Sequence, residues 1–130
     1  MDDLTLCFKG LSDANRLRIV NLLLHGELCG CDIQYVLSAP QPNVSRHLTY
    51  LKNAGLVLDR RDGFRIFYRL VQASKGSRKL FEFLSEAFRS NEAFQKDIDR
   101  LRHAIRGGAC TVSEWRPYSG LVKPIVSNPS

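Results

Sequence analysis

Several features are scarce or missing in this 130-residue chain, and each lack removes a class of function. No apolar run approaches the roughly 18 residues that a membrane-crossing helix needs. The N-terminus Met1-Asp2-Asp3 is acidic where a secretory leader would be basic. A soluble, cytoplasmic protein is therefore expected. There is no glycine-rich phosphate loop and no set of nucleophile, base and orienting residue, so the chain is not expected to be an enzyme. Internal repeats are absent, and the length suits a single core that would gain from dimerisation. Acidic residues are outnumbered, with 13 Asp and Glu against 19 Lys and Arg, a formal net charge of +6. Cysteines number four: Cys7, Cys29, Cys31 and Cys110. Without a secretory leader they do not read as a disulfide framework, and metal binding or thiol redox chemistry is the more specific reading.

What is present centres on the stretch from Gln41 to Leu51. Val44, Leu48 and Leu51 recur at spacings of four and three, the buried stripe of a short helix. Gln41, Asn43, Ser45, Arg46, His47 and Thr49 are left on or beside the outer face, a set rich in groups that read base edges and phosphates. Pro42 suits a first helical position, and Gly55 suits a left-handed cap. The preceding segment, Asp32 to Ser38, buries Ile33, Val36 and Leu37, and Ser38-Ala39-Pro40-Gln41 is a turn by composition. Together they give a helix-turn-helix signal. Alone, the Gln41–Leu51 stretch would serve equally well as a solvated surface helix.

The residues that follow decide between these readings. Leu56 to Leu70 forms two β-rich runs around Asp62-Gly63, a hairpin signal. The second run sets Phe64, Ile66, Tyr68 and Leu70 on one face and Arg65, Phe67 and Arg69 on the other. Residues 41–69 carry six cations (Arg46, Lys52, Arg60, Arg61, Arg65, Arg69) against Asp59 and Asp62, a net +4 focused on helix and hairpin. Such a patch suits phosphate contacts and salt-dependent association with DNA. Gln41, Asn43, Ser45, Arg46, His47, Thr49 and Lys52 are thus the expected reading residues, with Arg60, Arg61 and Arg65 on the wing.

Upstream, Leu4, Cys7, Phe8 and Leu11 share a helical face, and Ser12-Asp13 caps a second helix, Ala14 to Leu24, that buries Leu17, Val20, Leu23 and Leu24. Glu27 to Asp32 reads as a short extended link into the third helix. Cys29 and Cys31 lie one residue apart in this link. In a regular helix such positions diverge by about 200°, so gathering both around one ion requires local distortion, which Gly30 eases. A thiol pKa depressed by the helix start is expected at Cys31. From Gly76 to Ile105 a long apolar pattern would, if continuous, span about 45 Å and demand a partner helix, with Ser90-Asn91 as a possible break. Residues 1–106 form the expected dimerising domain. Residues 107–130, rich in Thr, Ser, Pro and Gly, form an expected flexible tail.

Four segments together resemble the ArsR/SmtB family of metal-responsive repressors: Phe8 to Ile19, Glu27 to Ile33, Val44 to Leu48, and Ala54 to Val57 with Arg61-Asp62-Gly63. The likeness covers about residues 4–105. It implies a mainly α (α+β) winged helix-turn-helix with a two-stranded wing and a homodimer through its terminal helices. It also implies a repressor that leaves double-stranded operator DNA when a thiophilic ion binds. Glu27 to Asp32 looks like the arsenic-type and cadmium/lead-type inducer site, so Cys29 and Cys31 would be ligands of arsenite or antimonite. The third cysteine of arsenic-type members is replaced here by Gln34. Cadmium/lead members draw cysteines from an N-terminal extension, of which this sequence shows almost none. The zinc-type site needs a histidine that Asp97-Ile98-Asp99 lacks. Candidates for a third ligand are Cys110, Cys7 or an external thiol, with Cys110 favoured because Gly107-Gly108 would let it swing toward the pair. Sensing of cadmium or lead, or a thiol redox switch, are the alternatives.

Overall fold

A computed structural model describes residues 2–72 and 75–106 of the chain. The order is α1 (Asp2–Leu11), α2 (Ala14–Leu23), β1 (Leu28–Cys29), α3 (Gly30–Leu37), α4 (Gln41–Asn53), β2 (Val57–Asp62), β3 (Arg65–Leu70), α5 (Lys75–Arg89) and α6 (Glu92–Arg106). Asp13 opens α2 from an extended conformation, its carboxylate accepting the Arg16 N–H at 3.1 Å, as a side-chain cap should. The helix then buries Ile19, Val20, Leu22 and Leu23 in the centre of the core.

Between α3 and α4 the chain turns at Ser38, whose left-handed backbone (φ 52°) ends α3 while its N–H donates to Gln34 O at 2.9 Å. Pro42 lies in the first turn of α4, where no N–H is missed. At the other end Gly55 takes φ 78° and donates to Lys52 O, and Leu56 N–H donates to Leu51 O, both at 3.0 Å. This Schellman pair stops the helix. Val44, Leu48 and Leu51 are buried, as their spacing predicts. Followed by a hairpin, α3 and α4 make a winged helix-turn-helix.

The sheet has one more strand than the hairpin alone would give, in the order β1-β3-β2. Two residues of the expected link pair with the wing, Leu28 with Tyr68 and Cys29 with Phe67, so β3 is central. The turn lies one residue later than Asp62-Gly63. Asp62 pairs with Arg65 around Gly63-Phe64, and Gly63 at φ 66° supplies the positive first position of a type II′ turn. Phe64 consequently leaves the strand for the turn, while Phe67 keeps the face that alternation gives it and is covered there. Phe64 is fully exposed on the turn, and Phe67 is buried. The cover over Phe67 is Arg60, whose Cζ lies 4.6 Å from the ring centroid.

The long C-terminal pattern divides into two helices rather than running for 45 Å. Asn91 accepts the Ala93 N–H at 3.0 Å and starts α6, while the Phe88 and Phe94 rings pack at 4.4 Å across the corner. The second helix then folds back over the domain. Asp97 receives a two-point ion pair from Arg18 at 2.7 and 2.9 Å, and Arg100 donates to the carbonyls of Val36 and Tyr35 and to Ser38 Oγ, capping the end of α3. Ile98, Leu101, Ala104 and Ile105 are buried within the same chain, so the apolar face of α6 is already covered. Leu4, Phe8 and Phe83 remain exposed on α1 and α5. No described helix is long and apolar enough to cross a membrane. Cys110 and the expected tail lie outside the described residues.

Candidate nucleic-acid interface and thiol cleft

The cap, the tight turn and the Schellman end hold α4 with one face on the core and the other outward. Gln41, Asn43, Arg46, Thr49 and Lys52 are exposed, and Ser45 is half-buried beside them. His47 is set apart from this group. Its side chain is only 16% exposed, and its Nδ1 lies 3.3 Å from Arg16 Nη1 and 3.9 Å from Asp13 Oδ1. Arg16 is itself fixed by Gly10 O at 2.8 Å and lies over the Tyr50 ring at 4.0 Å. His47 therefore ties α4 to the start of α2. Lys52 Nζ meets Asp59 Oδ2 at 3.1 Å and ties the other end of α4 to β2.

The wing arginines also divide. Arg61 and Arg65 are exposed. Arg60 turns inward and donates from Nε and Nη2 to both carboxylate oxygens of Glu27 at 2.9 and 2.8 Å, where Glu27 is 8% exposed. This pair, stacked on Phe67, fixes the wing to the body. Sequence reasoning missed it, together with the Arg18–Asp97 pair and the Arg100 cap. Their partners lie 33 to 79 residues apart, and no local pattern marks them.

Behind α4 lie the thiols. Cys29 precedes α3 in an extended conformation (φ −69°, ψ 145°), while Cys31 is in the first turn. The divergence that a regular helix would impose does not arise, and the two Sγ atoms approach to 2.7 Å, with the Cys31 N–H donating to Cys29 Sγ at 3.4 Å. Gly30 sits where an added Cβ would meet the Tyr68 ring at 3.3 Å, so the central strand can lie close against the cysteine turn. Burial pushes the Cys29 thiol up, opposed by the Cys31 N–H; Asp32 adds to the rise and Arg65 pulls against it. Desolvation is the largest of these effects on Cys29. The pair opens on a cleft of about 300 Å³ walled by Gln41, Val44, Ser45 and Leu48 of α4 and by Phe64, Arg65, Ile66 and Tyr68 of the wing. Two cysteine sulfurs, once both are thiolates, suit a soft, thiophilic ion. Among the described residues no group of three or more His, Cys, Asp or Glu side chains is gathered as a metal site. Cys7 is half-buried against the core and its thiol is pushed up by burial.

Comparison with known proteins bears on the family and the fold. The family model described as "Bacterial regulatory protein, arsR family" matches residues 13–58, from the Asp13 cap into β2. The arsenical resistance operon repressor of Escherichia coli (strain K12) is 52% identical over 64 residues, covering 48% of this chain and 55% of that one. The cadmium resistance regulatory protein CadC of Listeria innocua is 47% identical over 62 residues, covering 47% and 52%. The chain thus spans about half the length of these curated relatives. Among solved structures, the homodimeric winged helix-turn-helix domain Mb0332 of Mycobacterium bovis, a possible ArsR-family regulator, superposes with a TM-score of 0.58 at 31% identity. That match covers 66% of this chain and 78% of the other. The relatives named are regulators and not enzymes. The likeness runs through the helix cap, the cysteine turn and the reading helix, and the chain belongs to the ArsR family of bacterial regulatory proteins.

Proposed function

We propose that the chain is a homodimeric transcriptional repressor that binds operator DNA and releases it when arsenite or antimonite is held by cysteine thiolates. The observation that carries this reading is the Cys29–Cys31 contact at 2.7 Å, facing a cleft whose other walls are the reading helix and the wing. Gln41, Asn43, Ser45, Arg46 and Thr49 contact bases and phosphates, Lys52 flanks them, and Arg61 and Arg65 hold the backbone or minor groove. His47 and Arg60 act by positioning the helix and the wing. Leu4, Phe8 and Phe83 supply apolar surface for a two-fold partner, which would set two reading heads about 34 Å apart.

Cys29 and Cys31 supply two soft ligands, and Cys110 the third. Cys7 is less suited, because freeing it would expose a half-buried side chain and cost about 1–2 kcal/mol of burial. Because Cys29 belongs to β1 and Cys31 to α3, any adjustment of the pair bears on the wing through the β1–β3 ladder and on α4 through the cleft. By linkage, DNA must weaken ion binding by the factor by which the ion weakens DNA binding. A cadmium or lead response is the second reading, favoured by the likeness to CadC, and the closeness of the sulfurs favours thiol oxidation as a third.

Operator-bound protein titrated with arsenite, antimonite, cadmium, lead and zinc separates these readings. Release by arsenite or antimonite at the lowest concentration is expected. Release by a thiol oxidant without any of these ions would favour the redox reading. Metal-free protein that ignores DNA at low salt would overturn the repressor reading altogether.

A further inference from the structure

The described surface exposes several aromatic rings, and all but one have a local or oligomeric account. Arginines lie over Tyr50 and Tyr35, with Arg16 at 4.0 Å and Arg100 at 5.3 Å, and Phe8 and Phe83 belong to the α1 and α5 surface assigned above to a partner subunit. Phe64 stands apart from both groups: it contributes to the wall of the thiol cleft, yet that place leaves its ring uncovered. It is fully exposed at the tip of the wing, the second residue of the Gly63-Phe64 turn.

Three features around it point in one direction. The wing is stiff, with six paired positions from Val57–Leu70 to Asp62–Arg65 and its middle fixed by the Arg60–Glu27 pair over buried Phe67. The tip carries exposed Arg61 and Arg65 on either side of the turn against one exposed acid, Asp62, a net charge of +1. In sequence the apolar ring lies between those cations. Arginines favour the negative potential of a narrow minor groove, and an apolar ring carried with them can enter a base step and part its stacking.

We propose that Phe64 is a DNA-contacting wedge: the wing places its ring into the minor groove, where it partly unstacks a base step and bends the duplex, while Arg61 and Arg65 hold the flanking phosphates. The inference rests on the DNA-binding reading and adds to it a residue that reads deformability rather than base edges. Flexible pyrimidine–purine steps beneath the wing would be preferred, because they cost least to unstack.

The test uses a duplex selected by the wild-type chain from a random-sequence library, with 2-aminopurine placed in turn at each position outside the major-groove half-sites. Wild-type binding should raise the probe's fluorescence at one step per half-site. Phe64→Ala should abolish that rise and weaken binding by about tenfold. Its salt dependence should stay unchanged, since no phosphate contact is lost, whereas Arg61→Ala should flatten the salt slope. Phe64→Leu should restore much of the signal. A Phe64→Ala chain that matches the wild type in affinity and probe signal, whether or not its response to arsenite changes, overturns the wedge and leaves the repressor reading standing. A wild-type chain that selects no duplex overturns both.

Discussion

Cys29 belongs to two structures at once, as a strand residue paired with Phe67 and as the residue that caps α3 with its sulfur. A change at its sulfur is therefore felt by wing and reading motif together. Cys29→Ser and Cys31→Ser should each leave operator binding intact and abolish arsenite-driven release, read by fluorescence anisotropy of labelled DNA. A Cys110→Ser chain that responds with undiminished affinity would return the third ligand to Cys7 or to an external thiol. The raised Cys29 thiol also sets a pH signature. Burial keeps it protonated at neutral pH, so cadmium, which displaces a thiol proton, should bind about tenfold more tightly per pH unit for each proton released. Neutral arsenous acid condenses with thiols to release water and no net proton, so its affinity should be nearly flat between about pH 6 and 8. Calorimetry in buffers of different protonation enthalpy distinguishes the two.

Among the elements, α4 was the most legible in the sequence, because its buried triad, its proline and its terminal glycine are all local signals. Its boundaries and inner face follow from residues within four positions of one another. β1 was not legible, since a strand of two residues is defined only by its partner Tyr68–Phe67, and the partner lies some forty residues away. The same holds for Arg60, assigned to the nucleic-acid face by charge and drawn inward by Glu27. That pair gives an element-scale prediction. Arg60→Ala leaves a nearly buried carboxylate without its partner and should destabilise the fold by about 1–3 kcal/mol in chemical denaturation. Adding Glu27→Gln should recover part of the loss, as coupled partners do. If Arg60→Ala instead left stability intact and flattened the salt dependence of DNA binding, the arginine would be a phosphate contact after all.

At the scale of the whole molecule, the break at Asn91 changes which surfaces are left for a partner. A continuous helix would have presented a long apolar stripe, but α6 spends its own on α2 and α3 and is held there by the Arg18–Asp97 pair. Exposed apolar side chains remain on α1 and α5, and Phe8→Asp should shift the sedimenting species from dimer to monomer and weaken operator binding by more than its own single-site effect. The family and winged fold were legible because their motifs are contiguous; the corner was marked only by Ser90-Asn91, two residues that suit a helix cap but also occur on solvated helix faces. Above all, release of DNA by an ion requires the thiol pair and the DNA-reading surface to be energetically linked through the shared cleft. The most direct test is to measure arsenite affinity twice, for free protein and for operator-bound protein under the same salt. Arsenite should bind the operator-bound protein more weakly, by the same factor by which arsenite weakens DNA binding. Equal affinities in the two states would contradict it.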